Sequence, residues 1–171
     1  TELIFMGVQF AGQLVSLQMG LGIANLIDPY ANVQVAIIGQ FQHLLALLIF
    51  LSIQGHHFLL QALSASFDLV PLLQVDFSGA VVERLVSMSA QVFEIALKIG
   101  APAMAALFLT NVALGIIART VPQMNVFIVG LPLNIGVGLL SVALSFPLFF
   151  YVFKKLFLSL QQDIMLILNH L

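Results

Sequence analysis

Cysteine is absent from the 171-residue chain, which excludes disulfides, thiolate metal sites and cysteine nucleophiles but names no compartment. Charge is almost as scarce. Only 7% of the residues are charged and 61% are hydrophobic, whereas an average soluble domain carries about 25% charged residues. Mean hydropathy is +1.15, and a water-facing surface cannot be built from such a composition. A net charge of −2 lacks the basic stripe that a nucleic-acid partner would call for. The stretch Thr1 to Gly20 has no basic start, short apolar core or cleavage site of a signal peptide, so the chain is expected to begin inside a longer protein.

What is there is long and apolar. Uncharged intervals run from Leu3 to Ile27, Pro29 to Phe67, Ile99 to Ala118 and Thr120 to Phe153, each at or beyond the roughly 20 residues that cross a bilayer core. The expectation is an all-α, membrane-type protein with kinked helices packed in lipid or in other protein.

The first helix is expected from Thr1 to about Ala24, with small residues four apart at Gly12, Ser16, Gly20 and Ala24. In lipid, helices associate through close backbone approach over small residues and through polar side chains, here Gln9, Gln13 and Gln18. Asp28 before Pro29 reads as an N-cap followed by the first helical position. A second helix, Val33 to Ile53, carries Gln34, Gln40 and Gln42, each in need of a hydrogen-bond partner in hydrocarbon. Gly55, His56 and His57 break the run, and a shorter helix reaches about Phe67. The paired histidines lack a further ligand four residues away, so interfacial histidines are favoured over a metal site.

Asp68, Pro71, Asp76 and Gly79 mark a boundary between two halves. Beyond it Glu83, Ser87, Gln91, Glu94 and Lys98 form one polar stripe on a helix that continues past a kink at Pro102 to about Ala118. The stripe reads as a solvated face in preference to a pore lining, and Glu94 and Lys98 are spaced for a helical ion pair. Arg119 is costly at bilayer depth and Pro122 biases Val121 away from helix, so residues 119–125 are expected to turn a hairpin. Its second arm, Val126 to about Phe153, carries Gly130, Pro132, Asn134, Gly136 and Gly138. Lys154 and Lys155 end the arm, and a further helix is expected from Leu156 to Leu171.

Four segments in this order, LQMGL (17–21), IDP (27–29), QGHHFLL (54–60) and ARTVPQMNVFIVGLPL (118–133), resemble the FliR family, the flagellar counterpart of the SctT export-gate subunits of injectisomes. The family's N-terminal hydrophobic segments are absent from the chain. The resemblance implies a FliP-like helical part over residues 1–70, with a pore loop near 22–29, and a FliQ-like hairpin plus C-terminal helix over 79–171. It implies a non-enzymatic role without metal or cofactor, in the bacterial inner membrane within a flagellar basal body or a related secretion system. FliP-type, FliQ-type and FlhB-type subunits would be partners, and unfolded proteins the cargo of a type III secretion pore. Ile23, Leu26, Ile27 and Asp28 would belong to the pore-closing loop. Gly12, Ser16, Gly20, Gly130, Gly136 and Gly138 would be subunit contacts, and Arg119, Pro122, Gln123 and Asn125 the entrance turn. A small-solute or ion permease would use broken helices too, but the ionisable residues Asp28, Glu83, Glu94 and Arg119 are scattered in sequence. An intramembrane hydrolase would need a nucleophile paired with a base, and no spacing of serines and histidines supplies one.

Overall fold

The computed structural model describes residues 2–22, 36–69, 79–121, 123 and 125–170. Among the described residues the chain forms six α-helices and no strand: α1 (Glu2–Gln18), α2 (Ile37–Ser52), α3 (Gly55–Leu69), α4 (Gly79–Thr120), α5 (Val126–Leu144) and α6 (Phe146–His170). The all-α architecture expected from composition is the one observed.

α1 is the axis of the packing. Its Val8, Ala11 and Val15 are 0% exposed, because α2 lies against one side of it and α4 against another. Small residues make the first of these contacts possible. A Cβ on Gly12 would run into the Cα of Gly39 on α2, and a Cβ on Gly7 would stand 2.9 Å from Ile95 Cγ2 on α4. Phe5 then ties three helices: its ring lies 5.5 Å from His43 and 5.7 Å from Phe50 on α2, and 5.8 Å from Phe153 on α6. Phe149, Phe153, Phe157 and Leu160 form the buried stripe of α6, in one core with residues from α1, α2 and α4. The two halves of the sequence therefore share a core across the expected boundary, whose residues 70–78 lie outside the described set.

Three expected helix limits move. α1 stops at Gln18, before the expected Ala24, because Gly20 adopts φ 81°. The amides of Gly20 and Leu21 bond the carbonyls of Leu17 and Ser16, a C-cap that closes the last turn. The break after α2 falls at Ile53 and Gln54, with a 66° bend to α3. Gln54 takes φ 57°, and its carbonyl then accepts from His57 N at 3.0 Å to start α3. The expected arm from Val126 to Phe153 breaks at Ser145 instead, and α6 runs on through Lys154 and Lys155 without the expected restart at Leu156. The Ser141 and Ser145 hydroxyls donate to the carbonyls of Val137 and Ser141, four residues back, which loosens a helix. Pro147 sits in the first turn of α6, where its missing N–H costs nothing. The lysines are exposed, so the buried phenylalanine stripe can pass behind them.

α4 and α5 pack as a hairpin, joined between them by Asn134 Nδ2 donating to Asn111 Oδ1 at 2.7 Å. Among the described residues they are the two helices long and apolar enough to cross a membrane, as Val86–Thr120 and Val126–Leu144; α2 and α3 add a third span if that bent pair is one. The 19 residues of α5 extend about 28 Å, close to the roughly 30 Å of a hydrocarbon core. The 35 residues of the α4 span extend about 52 Å. Counting back along both helices from the asparagine bond puts Gly100 level with Ser145. The part of α4 preceding Gly100, with the Glu94–Lys98 ion pair (2.6 Å), therefore projects past the end of α5. Pro102 sits inside α4, which continues unbroken through it.

Two stability measurements on detergent-extracted protein check this packing. Gly12→Ala forces α1 and α2 apart and should cost about 1–3 kcal/mol, as overpacking does. Gly115→Ala has nothing within 4 Å and should gain about 0.5–1 kcal/mol; equal melting shifts for the two would refute the close crossing. In a double-mutant cycle, Asn111→Leu and Asn134→Leu should couple by about 0.6 kcal/mol and at most ~1.7. Strict additivity would show that the side-chain bond does not hold the hairpin.

Candidate functional site

The residues that sequence singles out fall in three places. The loop residues Ile23, Leu26, Ile27 and Asp28 lie outside the described residues, but the stem that delivers the chain to them is described. Met19 is 0% exposed and fills the space above Gly138, where a Cβ would meet its Cγ at 2.6 Å. Gly20 turns the chain at the end of α1. Met19 and Gly20 line a cavity of about 350 Å³ together with Asn111, Gly115, Gly130 and Asn134 of the hairpin. The chain thus leaves α1 level with the asparagine pair, midway along the apolar hairpin.

The small residues divide by what they touch. Gly12 meets Gly39, Gly130 faces Leu114 (3.2 Å to Cδ1 from an added Cβ) and Gly138 faces Met19, all within the chain. Ser16 is buried, and its hydroxyl has no hydrogen-bond partner. Gly20 is part of the turn. Gly136 differs from all of these, being exposed, with nothing within 4 Å of an added Cβ.

The hairpin turn is built from both of its ends. Arg119 is exposed in the last turn of α4, where its charge complements the helix dipole. Thr120 Oγ1 donates to the carbonyls of Ile116 and Ile117 at 3.2 and 3.1 Å, and Val121 N bonds Ile117 O at 2.8 Å. Pro122 lies outside the described residues, and Gln123 is an exposed turn residue. Asn125 is the N-cap of α5, its side chain accepting from Ile128 N at 3.4 Å.

His56 and His57 stand with ring centroids 4.5 Å apart at 52°, a contact between sequence neighbours. Among the described residues no group of three or more histidine, cysteine, aspartate or glutamate side chains could hold a metal ion. What the arrangement offers is apolar packing faces, with carboxamides set among them at defined depths. Sequence reading passed over Asn111, Thr120, Gly39 and Pro147. For Asn111 a signal existed, since it stands as far before the hairpin turn as Asn134 stands after it.

Comparison with known proteins covers most of the chain. Residues 1–160 match the family model for bacterial export proteins, family 1. The flagellar biosynthetic protein FliR of Bacillus subtilis (strain 168) is 42% identical over 153 residues, covering 88% of this chain and 59% of that protein. FliR of Aquifex aeolicus (strain VF5) is 34% identical over 147 residues, 86% of this chain and 57% of that protein. FliR of Escherichia coli (strain K12) is 31% identical over 147 residues, 86% and 56%. The chain thus spans somewhat more than half the length of these relatives. It belongs to the bacterial export proteins of family 1, the family of the flagellar biosynthetic proteins FliR.

Proposed function

We propose that the chain is the greater part of a subunit of a type III export gate in the bacterial inner membrane, a non-enzymatic component that helps form the pore for unfolded export substrates. FliP-type and FliQ-type subunits surround it in this reading. Residues 1–70 are its FliP-like part and 79–171 its FliQ-like part. The turn Arg119 to Asn125, with Pro122 and Gln123, faces the entrance and an FlhB-type subunit, and the loop Ile23, Leu26, Ile27 and Asp28 closes the resting pore.

One observation carries the reading beyond family membership. α4 runs for about 52 Å from Val86 to Thr120, and Phe93 and Leu97 remain exposed beside Glu94 and Lys98 beyond the level where α5 ends. Lipid can cover only about 30 Å of such a helix, so the rest calls for protein neighbours. The exit of the chain from α1, midway along the hairpin, is where a loop that blocks a path through the assembly would have to start.

The test is the native mass of tagged full-length protein, co-expressed with its genomic neighbours and extracted in mild detergent. A large complex with one copy of this chain and several copies of smaller helical proteins is expected; a monomer or simple homodimer would overturn the reading. Within that experiment, Gly136→Leu should prevent assembly while the free subunit keeps its melting temperature. Gly138→Leu should instead lower that temperature, because Met19 occupies the space. Normal assembly of Gly136→Leu would remove this face from the interface. Replacing Ile23 and Leu26 together by glycine should make the resting membrane leak small ions, whereas unchanged conductance would take these residues out of the seal.

A further inference from the structure

The buried side chains form two separate clusters, and the chain passes from one to the other at a single level. On α1 the change falls between Ala11 and Val15, and on α4 between Ile99 and Ala103; Phe149 of α6 belongs to the first cluster, whereas Val142 of α5 packs on the second. This is the level at which Gly100 stands opposite Ser145. Both arms of the hairpin are weak there. Pro102 has no amide to bond Lys98 O, and its ring crowds that carbonyl; the other arm is interrupted at Ser145, with Pro147 just beyond. A cavity of about 460 Å³ lies at the joint, with Ile99 and Phe149 of the first core on one side and Ile38 and Val142 of the second on the other. The two cores therefore do not close on each other along this side. Ring packing stops at the same level. Phe5, Phe50, Phe153 and Phe157 interlock in the first core, while the described ring contacts include none with Phe108 or Phe127 of the hairpin.

We infer that this level is a hinge, about which the hairpin from Ala103 to Leu144 pivots as one body, with Met19 as the latch that holds it to α1. The two arms move together because Asn134 bonds Asn111 and Leu114 packs on Gly130. The change of angle is taken up at Pro102 and Ser145, as hinges are by a few residues at the ends or weak points of elements, and the cavity gives it room. On the far side of the hinge the second core ties the hairpin to α1 through Val15 and Met19 and to α2 through Ile38. Met19 makes the closest of these contacts, over Gly138, and its unbranched side chain can leave that seat by rotation of its own bonds. Along the helices Gly138 stands about 10 Å from Ser145 and the turn at Thr120 about 30 Å from Gly100, so the turn travels about three times as far as the latch. The hinge needs only this fold, but its use rests on the export-gate reading: a displacement of the turn from Arg119 to Asn125 would be carried to Met19 and Gly20, where the chain leaves α1.

The test is a set of distances between spin labels on full-length protein in phospholipid nanodiscs, measured by pulsed electron resonance. These 171 residues hold no cysteine, and any elsewhere in the protein are replaced by serine, so labelled cysteines can be placed in pairs at exposed positions. Gln40 with Gln123 reports across the hinge, Gln40 with Lys155 within the first body and Ala105 with Phe127 within the hairpin. The first pair should give a broad or two-peaked distribution and the other two a single narrow peak. Pro102→Ala restores the missing amide and should collapse the first distribution to one peak, whereas Met19→Ala removes the latch and should shift its population towards the displaced peak. A Gln40–Gln123 distribution as narrow as the controls would overturn the hinge, and so would a broad one that ignores both variants. Breadth in the Ala105–Phe127 pair would overturn it too, since the hairpin would then be fraying instead of pivoting. The use of the hinge is tested separately by a disulfide between Met19→Cys and Gly138→Cys, which should block export until it is reduced; export through the oxidised protein would overturn the coupling. The label distances need no export and no partner, so failure of the hinge and failure of the gate reading are separate results.

Discussion

Everything in this fold leans on the contact where the backbone of α1 meets that of α2 at Gly12 and Gly39. Lipid tails are as apolar as leucine, so burial of apolar surface gives helices little reason to associate in a membrane, and close packing has to supply it. Two glycines opposite each other bring the helices near enough for Val8, Ala11 and Val15 to lose all exposure. Once α2 is seated, Phe50 reaches Phe5 and Phe157, so α6 is fixed through α2 as well as through α1. Gly55 continues the scheme, since the rings of Phe50 and Phe157 occupy the space its side chain would take. The sharp bend after α2 is therefore held by aromatic packing on one side and by the left-handed Gln54 on the other.

Charge then sets the depth of these helices. Between Gly100 and Ala118 on α4, and from Thr120 through α5 to Phe153, the chain carries no charged residue. The exposed charges of α4 and α6 gather past the Gly100–Ser145 level, as Glu83, Glu94, Lys98, Lys154 and Lys155, while Arg119 stands at the opposite end. A hairpin bounded in this way matches one bilayer core, with its asparagine bond near the middle. Asn134 Oδ1, the other end of the same carboxamide, is buried without a partner.

How much of this was legible depended on whether a feature was local. Helical class and the hairpin turn from Arg119 to Asn125 are properties of short stretches, and the sequence carries them plainly. So does the Glu94–Lys98 pair, four residues apart. The crossing at Gly39 was not legible, since a lone glycine in an apolar helix has no local signature and its meaning lies in Gly12, 27 positions earlier. The break at Ser145 was hidden for a different reason. Lys154 and Lys155 look like the end of a span, and Pro147 looks unremarkable until two serine hydroxyls turn back on their own helix just before it. Of the candidate site residues, Gly12, Gly130 and Gly138 proved to have near neighbours inside the chain, a distinction that spacing alone cannot make.

That distinction changes where partners should be sought. A small residue in an apolar helix is evidence of a close neighbour, but one chain can supply both sides of the contact. Once the internal contacts are accounted for, the surface that remains is of two kinds. Along the candidate spans lie Phe127, Ile128, Leu139 and Leu140, exposed and uniformly apolar, a surface that lipid and an apolar neighbouring helix cover equally well. Beyond the hydrocarbon boundary Phe93 and Leu97 alternate with the exposed Glu94 and Lys98 on α4, and Gln9 lies nearby on α1 at the same groove as Phe93. Such a mixture suits neither lipid, which would reject the charges, nor open water, which would reject the rings. It suits the interior of an assembly, where apolar neighbours and trapped water meet on one face.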